Sequence, residues 1–185
     1  CKELQHRQKD LVNINTIYIG GGTPLALSIP LLETLLQTLN SVVMVNQVVE
    51  FSIETNPNNI TSDKIKLLRH YGVNRLSIGI QTFDEKHLDF LGRDHTIHDI
   101  QTSIALLKSM KFPNISIDMM FSLVHQTVEE LQYDITHALQ LDVDHIDGNP
   151  SNNDKSNLQT LCSNCHRLKT KQNNDWNKRK HHEKV

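Results

Sequence analysis

Short β-branched or alternating runs recur along the chain and are separated by stretches with helical spacing. Thr16–Ile19 is such a run and ends at Gly20-Gly21-Gly22; residues 48–55 alternate apolar and polar positions before Asn56-Pro57. Residues 75–80 and 115–121 repeat the pattern. Between these predicted strands lie predicted helices over residues 29–39, 62–71, 97–110 and 128–139. Ile97, Ile100, Ile104, Leu107 and Met110 recur every three or four positions and make one apolar face. Thr61 ahead of Lys64-Ile65, and Thr127 ahead of Glu129-Glu130, stand where helix N-caps are expected. Strands joined by single helices predict parallel neighbours with right-handed crossovers. The fold class is therefore α/β. Four such units make a partial β/α barrel or an open sheet, since a closed eight-unit barrel takes about 250 residues.

The texture changes after Leu141. Residues 147–157 read DGNPSNNDKSN, a turn-rich stretch with four asparagines. A short strand over 158–161 and a polar helix from about residue 164 to 174 are predicted next, with a polar end from Asp175.

Charge divides the chain at the same place. Residues 1–145 carry 11 Lys/Arg against 17 Asp/Glu, whereas residues 146–185 carry 8 against 4. An acidic body and a basic tail are thus hidden in a formal net charge of −2, and the tail is suited to nucleic acid. The 185 residues are 37% hydrophobic and 22% charged, with 7 Gly and 5 Pro, which excludes collagen-like and wholly disordered chains. No apolar run approaches the roughly 18 residues of a membrane helix, and no membrane partner is expected. Three cysteines make no disulfide framework, so a reducing cytoplasm is the expected location.

Two sets of motifs carry chemistry. In the body, Gly20-Gly21-Gly22-Thr23-Pro24 follows a strand, where glycines let a ligand approach the backbone closely. Glu54-Thr55-Asn56-Pro57, residues 77–83 (SIGIQTF), Leu91-Gly92-Arg93 and Ile117-Asp118-Met119-Met120 follow in order. Together these resemble the radical S-adenosylmethionine enzymes of the HemW type, relatives of oxygen-independent coproporphyrinogen III oxidase. The resemblance covers about residues 10–146. It implies a partial radical-SAM barrel in which Gly21, Gly22 and Thr23 meet the methionine part of S-adenosylmethionine. By the same resemblance Glu54, Gln81, Arg93 and Asp118 are the family's cofactor-contacting acid, amide, guanidinium and second acid. The family's 4Fe-4S cluster needs a Cys-x3-Cys-x2-Cys loop ahead of the glycines, and residues 2–161 contain no cysteine. No cluster, and no radical generation, is expected from these residues. A second departure is Val124, where the family usually has proline.

In the tail, Asp144-His145-Ile146-Asp147-Gly148-Asn149, then Asn157-Leu158, then Cys162-Ser163-Asn164-Cys165-His166 resemble an HNH endonuclease of the ββα-metal type. Eleven residues separate His145 from Asn157 and eight separate Asn157 from His166. The resemblance implies His145 as general base, Asp144 and His166 as ligands of Mg²⁺ or another divalent cation, and Asn157 holding the loop and orienting His145 or, as in some relatives, ligating the metal. Double-stranded DNA is the implied partner, with Arg167, Lys169 and Lys171 meeting phosphates. Cys162 and Cys165 have knuckle spacing but supply only half of a four-ligand zinc site. Such a site is left without zinc, completed by a histidine such as His137, or shared by two chains in a homodimer.

The expected domains are residues 1–142, HemW-like, and 143–185, an HNH module. Residues 143–146 (VDHI) suit both families, although a parallel strand buried on both faces cannot also turn its histidine to a cleft. Three functions follow as expectations: a metal-dependent DNA endonuclease fused to a truncated radical-SAM segment; an S-adenosylmethionine-binding remnant of a haem-metabolism protein; and a chimera without function.

Overall fold

The fold is known from a computed structural model, which describes residues 1–11 and 13–141. Asp144, His145, Asn157, Cys162, Cys165 and His166, and both elements expected between 158 and 174, lie outside the described residues. Among the described residues ten elements of helix and strand run in the order α1 (Lys2–His6), β1 (Thr16–Ile19), α2 (Ile29–Val42), β2 (Glu50–Thr55), α3 (Ser62–His70), β3 (Arg75–Gln81), α4 (Glu85–Phe90), α5 (Ile97–Ser109), β4 (Ile115–Met119) and α6 (Val128–Gln140). The strands form one sheet in the order β1-β2-β3-β4. β1 and β2 are parallel, with Thr16 opposite Glu50, and β2 and β3 are parallel, with Ser52 opposite Arg75. The four strands and four helices predicted ahead of Leu141 are present, each end within three residues of its expected place and β1 unshifted.

The chain divides into two compact units. The first comprises Cys1–Ile78 and His98–Asn114. Its apolar interior includes Leu32 and Leu36 of α2, Phe51 and Ile53 of β2, and Ile65 and Leu68 of α3, each fully buried. On α5, Ile100, Ile104 and Leu107 are buried while Met110, just past its end, is half-buried, as the helical periodicity predicts. Thr61 caps α3, its hydroxyl accepting from the Lys64 N–H. Two asparagines extend the sheet's ladder beyond its strands. The Asn74 side chain accepts from Phe51 N at 2.8 Å and donates to Val49 O at 3.0 Å. Asn114 donates its amide to Asn74 O at 3.0 Å, and its own carbonyl receives Leu76 N. These pairings satisfy backbone groups that would otherwise be stranded where the strands begin.

Residues 48 and 49 do not join β2, because a 3₁₀ turn at Val45–Gln47 delivers the chain late. α1 and a 3₁₀ turn at Gln8–Asp10, rather than a strand, precede β1.

The second unit, among the described residues, comprises Gly79–Ile97 and residues 115–141, which carry the end of β3, α4, β4 and α6. Ile80, Phe83, Leu88 and Ile117 are buried in it. α4 is a further helix that periodicity does not announce. At six residues it is too short to stand alone. It is held by Asp84, whose carboxylate accepts from Lys86 N at 2.8 Å and His87 N at 3.2 Å. α6 opens on a full capping box: Glu130 N donates to the Thr127 hydroxyl and Thr127 N donates to the Glu130 carboxylate. No described helix is long and apolar enough to cross a membrane.

Candidate cofactor-binding site

In the first unit, β1 ends at Ile19 opposite Ile53, and β2 runs two residues further, to Thr55. The chain leaving β1 at Gly20 therefore runs beside Glu54, still within β2. Glu54, half-buried, accepts Gly21 N at 3.0 Å on one carboxylate oxygen and the Tyr18 hydroxyl on the other. An added Cβ at Gly20 would stand 2.8 Å from the Tyr18 ring and 3.0 Å from the Glu54 carboxyl, so glycine alone leaves the carboxylate in place. Gly21 and Gly22 both take positive φ, at 89° and 60°, and nothing lies within 4 Å of where their Cβ atoms would be. The loop is bent tightly on one side and open on the other. Thr23 is tied to the same strand end, its hydroxyl accepting from Asn56 Nδ2 at 3.3 Å. The next turn, Pro24–Ala26, is fixed by Lys64, whose ammonium donates to Leu25 O; burial lowers the affinity of this amine for its proton.

The structure thus ties Glu54 to Gly21 and Tyr18, and Thr23 to Asn56; Tyr18 and Asn56 are contacts that the sequence reading did not single out. Asn56 stands in the Glu-Thr-Asn-Pro motif, so its position was legible; Tyr18 becomes relevant only through strand register. A half-buried carboxylate beside open glycine backbone suits a zwitterion, with an ammonium on the acid and a carboxylate toward the loop.

In the second unit, Gln81 ends β3, Arg93 follows α4 and Asp118 lies on β4. Gln81 is buried and holds φ at 73°, in the left-handed region that side chains rarely adopt. Its carbonyl accepts Met120 N at 2.8 Å. Arg93 and Asp118 are both half-buried.

Asp134 of α6 is an unanticipated buried acid, only 1% exposed. It accepts the Thr82 hydroxyl on both oxygens, at 3.1 and 2.9 Å, and Phe83 N at 2.6 Å. Burial raises its affinity for a proton more than the hydrogen bonds from Phe83 and Thr82 lower it, with Asp84 adding to the rise and His87 opposing it. One turn earlier Glu130 is shifted the other way, by the Thr127 N–H first and then by His87. A carboxyl whose folded value is raised contributes stability that is full below its unfolded value near 3.8 and is lost as pH rises through the folded value. Asp134→Asn is therefore expected to remove a gain on acidification. Urea midpoints at pH 7 and pH 4.5 should show the variant losing more stability than the parent between them. An identical pH difference in both proteins counts against the assignment.

A family model for the radical SAM superfamily matches residues 2–138. The chain belongs to the radical SAM superfamily. This radical SAM chain is 42% identical to the haem chaperone HemW of Bacillus subtilis over 134 residues, 72% of its own length and 35% of that protein. It is 32% identical to the oxygen-independent coproporphyrinogen III oxidase of Cereibacter sphaeroides over 148 residues, covering 78% of this chain and 33% of that one. Among solved structures, coproporphyrinogen III oxidase (HemN) from Escherichia coli superposes with a TM-score of 0.69 at 26% identity, over 78% of this chain and 34% of that one. The chain spans about a third of the length of these relatives. A second family model, for HNH endonucleases, matches residues 133–172. The two matches overlap at 133–138, inside α6. Asp134 and Ala138 of that overlap are buried within the second unit.

The residues present fit S-adenosylmethionine and its cluster unequally. The open glycine loop beside Glu54 suits an amino-acid moiety. A cluster requires three thiolates, and residues 2–161 hold none, while Cys1 is exposed. The donor set does not fit a cluster, and no step through one is derived. Among the described residues no group of three or more His, Cys, Asp and Glu is arranged for a metal. His137, weighed as a zinc ligand, has its Nδ1 2.8 Å from Tyr133 O and its ring centroid 3.8 Å from that of Tyr133, the planes tilted by 36°.

Proposed function

We propose that residues 1–142 bind S-adenosylmethionine without cleaving it, as a HemW-like segment related to haem metabolism, and that residues 143–185 form a metal-dependent HNH nuclease acting on DNA. The observation that supports the first part is the Glu54 carboxylate, held by Gly21 N and the Tyr18 hydroxyl at the mouth of the glycine loop. Bound S-adenosylmethionine supplies an α-ammonium, an α-carboxylate and a sulfonium. Glu54 is suited to the ammonium, and Gly21, Gly22 and Thr23 to close backbone contact. Gln81, Arg93 and Asp118 enter the proposal by family resemblance, each tested by its own substitution. Titration calorimetry on the full chain should give saturable binding. Glu54→Ala is expected to weaken it about 10- to 100-fold, the worth of a hydrogen bond to a charged group. Absence of heat with the parent chain refutes the reading.

The match at residues 133–172 supports the second part. His145 is positioned in sequence to take a proton from water, with Asn157 orienting it. Asp144 and His166, a carboxylate and an imidazole, suit Mg²⁺ or a similar cation, which when bound stabilises charge on the phosphodiester. Arg167, Lys169 and Lys171 meet phosphates, and Cys162 with Cys165 supplies two of four ligands for a zinc ion shared with a second chain.

A further inference from the structure

We propose that Asp134, on α6, is the positioning residue that keeps Gln81 in its left-handed conformation and so presents the Gln81 amide to the cofactor. This role deepens the S-adenosylmethionine reading and rests on it for its purpose, though not for its geometry. Gln81 has φ at 73° and is 8% exposed, so an unfavourable backbone state is buried where water cannot compensate for it. Such a state persists only where neighbours over-determine it. Three restraints meet at this residue. Thr82 N donates to Ile80 O at 3.0 Å, closing a tight turn around Gln81. Met120 N donates to Gln81 O at 2.8 Å. The third is Asp134, which takes the two donors that immediately follow, the Thr82 hydroxyl and Phe83 N.

The Asp134 network has no slack. Asp84 N donates to the Thr82 oxygen at 3.1 Å, which directs the Thr82 proton onto Asp134. Gln126 Nε2 lies 3.4 Å from the remaining side of the carboxylate. Thr82 is fully buried, so neither its hydroxyl nor Phe83 N has water as an alternative partner. The carboxylate therefore sets the direction in which the chain leaves Gln81. Without it Gln81 loses one of its three restraints and is freer to relax to the negative φ that side chains prefer.

The test is selective carbon and nitrogen labelling of glutamine in the full chain, with the one-bond Cα–Hα coupling of Gln81 reporting the sign of φ. The parent should show the left-handed value. Asp134→Asn keeps the volume and one acceptor, and Thr82→Val keeps the shape while losing the hydroxyl, so both are expected to fold. Each should move the coupling toward the value for negative φ. Each should also weaken S-adenosylmethionine binding at least fivefold, while Asp134→Glu restores part of both. Couplings unchanged in both variants overturn the proposal. A parent that shows no binding overturns the cofactor reading instead, and the coupling still decides whether Asp134 positions Gln81.

Discussion

Replacing His145 by alanine in the full chain is expected to slow divalent-metal-dependent nicking of supercoiled plasmid by about 10²- to 10⁴-fold, the usual contribution of a positioned general base. Water at neutral pH is a poor nucleophile toward a phosphodiester, and a neutral imidazole is matched to the proton it must remove. Alanine removes that acceptor and leaves the proposed metal ligands Asp144 and His166 untouched. Metal dependence should therefore survive while the rate falls. His166→Ala should behave differently, because losing a ligand raises the metal concentration needed for half-maximal rate. A His145→Ala chain that nicks as fast as the parent would falsify the nuclease mechanism. Rising salt should weaken binding in both proteins alike, since the proposed phosphate contacts, Arg167, Lys169 and Lys171, are the same in each.

The second large effect concerns stability. Arg75 opens β3 and is 2% exposed, the bulkiest fully buried side chain among the described residues. Its guanidinium lies 3.5 Å from the Glu50 carboxylate and 3.3 Å from the Ser52 hydroxyl, and that hydroxyl donates to Glu50 at 2.8 Å. Register makes the group: Ser52 stands opposite Arg75 on the neighbouring strand. Arg75→Ala leaves the Glu50 charge largely desolvated beside a new cavity, and a loss of about 3–5 kcal/mol is expected in urea unfolding. The paired change Arg75→Met with Glu50→Gln removes both charges at similar volume and should cost far less. If Arg75→Ala alone shifts stability by less than about 1 kcal/mol, the ion pair is not what holds the strand starts together.

α6 is where the two families meet. Residues 133–138 satisfy both family models, yet Asp134 and Ala138 are buried in the second unit, with Asp134 receiving Thr82 and Phe83. In this part of the chain the helix serves the α/β unit.

Local patterning determined the α/β class, all four strands, four of the helices and the caps at Thr61 and Thr127, because period and capping chemistry act over a few residues. Gly21, Gly22, Thr23 and Glu54 stood out through ordered motifs that resemble a family, not through periodicity, and their role as cofactor contacts is a proposal. α4 escaped it because a six-residue helix depends on Asp84 and its surroundings rather than on periodicity. Arg75 reads in the sequence as an ordinary charged residue, and Asp134 as one acid on a polar helix. Only tertiary structure decided that both are buried, since their partners at Glu50 and Thr82 lie 25 and 52 positions away. The same holds for Gln81: its identity is written in the chain, but its left-handed backbone depends on Met120 and Asp134 arriving from later elements. Long-range register and burial, not local propensity, decide such groups.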